Sequence, residues 1–281
     1  MATTITNIFD TKFRSQVKVD FQRMGPLLKQ ACTIDDTVNA NVVTFKKLGT
    51  GVATTKGRHG VIPTMDLAHS TVTATMTDYY AAEYEDDLDR LKHNATMFGR
   101  YSESIAGALG RRYDETIITA ASAGAGTTIT EAGTDGLTLA KVLQVERTFN
   151  EADVPFSDRY FVIGPEQWQD LKSANGTSAN DWFTSVDYAN NKPFTFGTTA
   201  TFMWQGFNFI VHSGLPIATG NIRSCFAWHK SSIGVGQNKD ITIRSSYLDD
   251  RDTHQIMGKM SLGSTVIDSE GVIEIECDED S

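Results

Sequence analysis

Residues 77–122 read TDYYAAEYEDDLDRLKHNATMFGRYSESIAGALGRRYDETIITAAS, and their periodicity organises the rest of the chain. Tyr80, Tyr84, Leu88 and Leu91 recur at i, i+4, i+8 and i+11, which predicts one apolar helical stripe. Asn94 can cap a second helix, in which Phe98, Tyr101, Ile105, Leu109, Tyr113 and Ile117 step by three or four. At about 1.5 Å per residue, Ala95 to Ala121 would run about 40 Å. SAGAG supplies the stop with Gly124 and Gly126. Gly107 and Gly110 inside the helix should each cost about 1 kcal/mol relative to alanine, so a close neighbour is expected against them.

The front of this stretch is acidic. Glu83, Glu85, Asp86, Asp87 and Asp89 precede Arg90, Lys92 and His93. On a helix, with about 100° between residues, these carboxylates scatter around the axis and do not converge on a metal. A calcium loop would need a central glycine and ligands at alternate positions, and EYEDDLDRLKHN has neither. Asp86–Arg90 and Asp89–Lys92 are helix-spaced ion pairs worth about 0.2–0.5 kcal/mol each. Two readings stay open: a solvated helix face, or half of a contact between subunits.

Upstream, NVVTFKKLG alternates as a strand with Val43, Phe45 and Lys47 on one face. STVTATMT alternates with Val72, Ala74 and Met76 aligned. Between them runs GTGVATTKGRHGVIPTMDLAH, a Gly-rich loop with a basic group of Lys56, Arg58 and His59. A loop of this length in a compact domain is expected to have a function. Residues 1–30 read as a polar arm that docks on a partner.

Downstream, LTLAKVLQVERTFNEADVP predicts an amphipathic helix ended by Pro155. RYFVIGPEQWQDLKSA predicts a buried strand and a short helix opened by Pro165. FMWQGFNFIVHSGLP and CFAWHKSSIGVGQ predict strands with turns, and residues 240–280 two or three more.

At 281 residues, 40% hydrophobic and 21% charged, the chain can bury a substantial core. Its net charge of −10 disfavours bulk binding to DNA or anionic membranes. That charge is uneven: residues 1–60 carry nine Lys/Arg against four Asp/Glu, and the remainder sixteen against thirty-one. A basic front and an acidic remainder suit contact between copies, although unevenly solvated charge would read the same way. Cys32, Cys225 and Cys277 lie too far apart for a CxxC pair and suit a reducing cytoplasm. The start lacks the apolar run of a secretory signal, and no stretch approaches the ~20 apolar residues of a membrane span. A soluble product of the cytoplasm is expected.

Catalytic motifs are missing. The sequence contains no GxxxxGK[ST], GxSxG or HExxH, and GAGTTI and GVGQNK lack the third glycine of a dinucleotide fingerprint. Its six histidines show neither i,i+4 pairing nor a cysteine at ligand spacing. No cofactor, metal or catalytic residue is expected.

The order of parts resembles the major capsid proteins of tailed bacteriophages, the Hong Kong 97-like shell fold. YYAAEYEDDLDRLKHN running into ALGRRYDETIITAAS is similar to the entry and body of that family's spine helix. TKGRHGVIP is similar to the tip of its extended E-loop, RYFVIGPEQWQDL and FNFIVHSGLP to its axial lobe, and STVIDSEGVIEIE to the closing strand of its peripheral lobe. The resemblance implies an α+β chain with an arm over 1–36 and an extended loop over 49–69. It implies a peripheral lobe with the spine helix over 37–48, 70–124 and 241–281, and an axial lobe over 125–240. It also implies a shell around a double-stranded DNA genome, assembled from hexamers and pentamers of this chain in the host bacterial cytoplasm. The arm lacks a preceding helical region of about a hundred residues, so a separate scaffolding protein is expected, with a portal protein and weak non-specific contact to DNA.

Under this reading, Lys46, Lys47, Lys56 and Arg58 on the loop, with Lys12, Arg14, Lys18 and Arg23 on the arm, meet acidic regions of neighbours. Glu85, Asp86 and Asp89 are the expected acidic partners, and Val61, Ile62 and Met65 cover a neighbour. Arg111 and Arg112 face the DNA or form helix-surface ion pairs. Two rivals remain: an encapsulin-like nanocompartment shell with an enzyme cargo, and an α/β hydrolase or transferase without standard motifs.

Overall fold

A computed structural model describes residues 21–36, 40–88, 98–130, 136–173 and 201–279. A short 3₁₀ turn, Leu28–Ala31, leads into β1 (Thr33–Asp35). β2 (Val42–Leu48) and β3 (His69–Thr75) form an antiparallel hairpin paired from Val42↔Thr75 to Leu48↔His69. β4 (Thr77–Asp86) precedes the long helix α1 (Phe98–Gly124). Then come β5 (Thr127–Ile129), α2 (Leu139–Glu151), β6 (Arg159–Ile163) and α3 (Pro165–Ser173). The rest is strand: β7 (Thr201–Trp204), β8 (Phe207–Val211), β9 (Ile217–Thr219), β10 (Ile222–His229), β11 (Ile233–Leu248), β12 (Thr253–Val266) and β13 (Val272–Asp278).

These strands form two principal sheets. A seven-stranded sheet runs β5-β13-β10-β6-β8-β7, with β9 also on β10. Its central strands are apolar on both faces: in β10, Cys225, Phe226, Ala227 and Trp228 are consecutive and all buried. Such runs identify strands covered on both sides. α2 covers this sheet with Val142, Val145 and Phe149, and Phe149 packs against Phe207 of β8. The Thr138 hydroxyl caps α2 by accepting from the Lys141 N–H. Phe161, Phe202, Phe207 and Phe209 form the aromatic centre of the sheet. Two charged side chains are buried alongside: Lys141 donates to the Gly136 and Glu276 carbonyls, and Arg159 to the Pro155 and Val154 carbonyls and Asn150 Oδ1. Burial without such bonds would cost several kcal/mol.

The second sheet runs β1-β11-β12-β4, with β1 parallel to β11 and the remaining pairs antiparallel. One face of it lies on α1. Ile105, Leu109, Ile256 and Met260 share the core there, and Ser264 Oγ donates to the Thr116 carbonyl at 2.8 Å. The helix ends at Gly124, as the sequence predicts; the expected start at Ala95 and the Asn94 cap lie outside the described residues.

The stretch 77–86 corrects the sequence reading. It is a strand, and its register Thr77↔Leu262 to Asp86↔Thr253 is continuous. A spacing of four places Tyr80, Tyr84 and Leu88 on one side of a helix, and equally on one face of a strand with period two. Leu91, whose position separates the two, lies outside the described residues, as do Asp89, Arg90, Lys92 and His93. Sheet pairing also departs from the expected lobe boundary. β11 runs unbroken through position 240, and β13 pairs with β10 in the seven-stranded sheet, away from β12 and β4.

The two helix glycines meet the neighbour that they call for. The N-terminal segment crosses α1 there, and a Cβ on Gly110 would lie 2.3 Å from the Gly25 carbonyl oxygen. One turn on, the buried Asp114 carboxylate accepts the Leu27 and Leu28 N–H groups at 3.2 and 3.0 Å. His212, at the end of β8, brings Nε2 to 3.5 Å from the same carboxylate. Asp114 thus ties three parts of the chain together: the N-terminal segment, the long helix and the seven-stranded sheet.

Candidate subunit interface

The hairpin β2–β3 carries a loop that is exposed throughout residues 50–66. Its base is anchored by Val43, Phe45 and Met76, a small apolar cluster of its own. A Cβ on Gly236 of β11 would meet Met76 Cε at 2.3 Å, so the glycine of GVG at 234–236 serves to seat this hairpin. Beyond Leu48, among the described residues, the loop's backbone hydrogen bonds are its own: the Gly49 N–H donates to the Ala68 carbonyl and that of Gly60 to Gly57.

The loop places its large apolar side chains in solvent. Val61 is 92% exposed, Ile62 73% and Met65 54%, and Val52 is exposed as well. Leaving such side chains uncovered forgoes about 1.5–3 kcal/mol each. Lys56, Arg58 and His59 are exposed on the same tip. Of the other basic candidates, Lys46 is exposed, whereas Lys47 forms an ion pair within the chain, 2.7 Å from Asp268. Lys47 is therefore not a free cation for a neighbour. Arg23 has its Nε buried beside α1, and Lys12, Arg14 and Lys18 lie outside the described residues.

The acidic candidates divide by strand parity. Glu85 is only 9% exposed and lies on the α1 side of β4, where it and Glu83 raise the Tyr101 hydroxyl's pKa in support of burial. This corrects the expectation that Glu85 is an exposed partner. Asp86 points the other way and is exposed, with Oδ1 accepting the Leu88 N–H. The end of the sheet is acidic: the Asp87 N–H donates to the Asp252 carbonyl, and His254 Nε2 lies 3.7 Å from Asp87. Tyr247 donates to Asp252; that bond, with Asp87 and Asp249 nearby, pushes its pKa up to about 12.

On α1, Arg112 pairs with Glu115 at 2.7 Å and stacks over Tyr79, a helix-surface arrangement. Arg111 donates to Gln22 Oε1 and the Arg23 carbonyl, holding the N-terminal segment, in place of the helix-surface ion pair. Sequence reasoning missed Asp114. Its one signal is position, one turn beyond a helix glycine on the buried side.

No catalytic arrangement emerges among the described residues. A surface cleft of about 650 Å³ is lined by Pro26, Lys29, Cys32, Ile34 and Lys230, but burial drives the Cys32 thiol far above its ordinary pKa. Among the described residues no group of three His, Cys, Asp or Glu side chains is placed to hold a metal, and no helix is long and apolar enough to cross a membrane.

The family model for phage capsid proteins matches residues 5–279. The chain belongs to the phage capsid protein family. Solved structures agree on the fold. The capsid of cyanophage P-SCSP1u superimposes with a TM-score of 0.77 at 15% identity, covering 98% of this chain and 94% of that one. Mycobacterium phage Che8 gives 0.72 at 17%, covering 96% and 97%. The capsid of a native GTA particle gives 0.69 at 10%, covering 99% of each. A search of curated proteins by sequence found no match. The chain is a major capsid protein with the Hong Kong 97-like α+β fold, a structural subunit that self-assembles into the icosahedral shell of a phage virion.

Proposed function

We propose that the shell of this phage is held in register by the loop 49–68, which carries Lys56 and Arg58 to acidic surface on a neighbour and buries Val61, Ile62 and Met65 there. The carrying observation is the loop itself, with its apolar side chains and cations exposed together on one tip. Each exposed ion pair is worth at most about 1 kcal/mol, so the charges set register and apolar burial supplies strength. Repetition around hexamers and pentamers makes weak contacts collectively decisive. The exposed Lys46 and Asp86 belong to the same set, and Asp89 joins it from the sequence.

The subunit further divides into an arm, a peripheral lobe with the spine helix α1, and an axial lobe around the seven-stranded sheet. It is made in the host cytoplasm and works with separate scaffolding and portal proteins, and its net charge of −10 keeps contact with the packaged double-stranded DNA weak. The double variant Lys56→Glu, Arg58→Glu tests the loop. Sedimentation and negative-stain microscopy should show loss of shells, with circular dichroism unchanged; shells in normal yield would refute it.

A further inference from the structure

Cys225 of β10 and Cys277 of β13 are both free thiols and both fully buried. The antiparallel register sets Cys225 opposite Ile275 and Arg223 opposite Cys277, so the two cysteines share a sheet face, one diagonal step apart. The same diagonal joins Arg223 to Glu279, with Nη2 to Oε2 at 3.0 Å, so side chains meet along it. The thiols meet as well: Cys225 and Cys277 share a hydrogen bond.

The pair sits where the chain leaves the seven-stranded sheet and returns to it. After β10 the chain builds β11 and β12 of the second sheet, then re-enters as β13. A bond between the two sulfurs would ring this excursion of about fifty residues and remove loop-closure entropy from the unfolded chain.

Two opposed sets of influences act on Cys225. The hydrogen bond with Cys277 and burial raise its pKa, while a hydrogen bond with the Gly164 backbone and the nearby Arg223 favour the thiolate; the first set prevails in the closed fold. A protonated, covered thiol is inert. The cover is thin, however. Cys277 is the next-to-last residue of β13, and just beyond it the Glu279 N–H donates to the Asn221 carbonyl while Arg223 grips the Glu279 carboxylate. Strand ends open locally without global unfolding. Lifting this end removes both influences that hold the proton and leaves both that favour the thiolate.

We infer that Cys225 and Cys277 form a latent disulfide, closed by exchange with a low-molecular-weight disulfide when the end of β13 opens. The Cys225 thiolate attacks one sulfur of the small disulfide, whose S–S bond breaks as a mixed disulfide forms. The departing thiolate takes up the proton that Cys225 lost. Cys277, as its thiolate, then attacks the Cys225 sulfur and expels the second small thiolate, which takes up the Cys277 proton. Both protein thiols are thereby oxidised, and the small disulfide is reduced to two thiols. A reducing cytoplasm keeps the pair open, and oxidising surroundings close it.

The full-length chain, incubated with oxidised glutathione, tests this. After denaturation and alkylation, titratable thiols should fall from three to one, leaving Cys32. Digestion without reductant should yield a linked peptide pair from positions 225 and 277, lighter by two hydrogens than the separate thiol peptides. The closed chain should melt about 5–10 °C above the reduced one. Glu279→Gln, which loosens the strand end, should close about threefold faster or more. Cys277→Ala should stop at the mixed disulfide on Cys225 and gain no thermal stability. Three thiols surviving in both wild type and Glu279→Gln, or a bond that includes Cys32, would overturn the pairing. Equal rates in wild type and Glu279→Gln would overturn the end of β13 as the gate, and closure without a rise in Tm would overturn the staple. Should Cys277→Ala fail to fold, the thiol count and the Glu279→Gln rate decide without it.

Discussion

The two principal sheets contrast in what covers them. The central strands of the seven-stranded sheet are buried on both faces, and β6 and β10 read as apolar runs such as Cys225–Trp228. The β1-β11-β12-β4 sheet has one face on α1 and presents Tyr80, Tyr84 and Arg244 to solvent on the other. The first is finished within one chain. The second keeps surface in reserve, as a subunit must when its task is to join copies of itself.

The sharpest way to break this contrast is to cut into the finished sheet. Trp228 is fully buried on β10, and its indole N–H donates to the Ala31 carbonyl at 2.8 Å. Trp228→Ala should cost about 3–5 kcal/mol in denaturant unfolding of the unassembled chain. A loss under about 1 kcal/mol would mean that the sheet is not the stabilising centre.

A smaller effect sharpens how this sheet is closed. Arg223 on β10 grips Glu279 just past β13, with Nη2 to Oε2 at 3.0 Å, and this bond holds the Glu279 carboxyl below its ordinary pKa. A carboxyl lowered on folding contributes stability that is present above its unfolded value and lost as pH falls through the folded one. Wild type should exceed Glu279→Gln by about 0.5–1 kcal/mol near neutral pH. The two should converge once acid has protonated Glu279, and a difference that persisted there would point to side-chain packing.

The smallest expected effect on folding belongs to the other sheet. Tyr80→Ala removes an exposed ring and should change monomer stability by less than about 0.5 kcal/mol. Particle assembly should nevertheless fall, measured by sedimentation of the same preparation. Equal losses of folding and assembly would erase the distinction between the sheets.

What the sequence conveyed follows the same division. Continuous apolar runs and proline-marked starts located β6, α3, β8 and β10, because burial on both faces leaves little ambiguity in composition. Gly107 and Gly110 announced a crossing without saying which segment crosses. The exposed strand β4 mimics a helix in sequence because Tyr80 and Tyr84, four apart, fit both periods, and only its pairing with β12 decides. The same ambiguity hides the burial of Glu85. Lys47 was equally opaque, since its partner Asp268 lies 221 residues away. Long-range pairing of single charges leaves no local trace.

The placement of the cysteines has a practical consequence. Cys32 sits in the segment that crosses α1, while Cys225 and Cys277 sit inside the seven-stranded sheet; burial holds the Cys32 thiol protonated, and a hydrogen bond with Cys277 together with burial does the same for Cys225. A thiol reagent added to intact subunits should therefore react only as each region opens. Labelling at position 32 before 225 and 277 would time detachment of the N-terminal segment separately from global unfolding, so the wild-type chain carries its own two-stage clock.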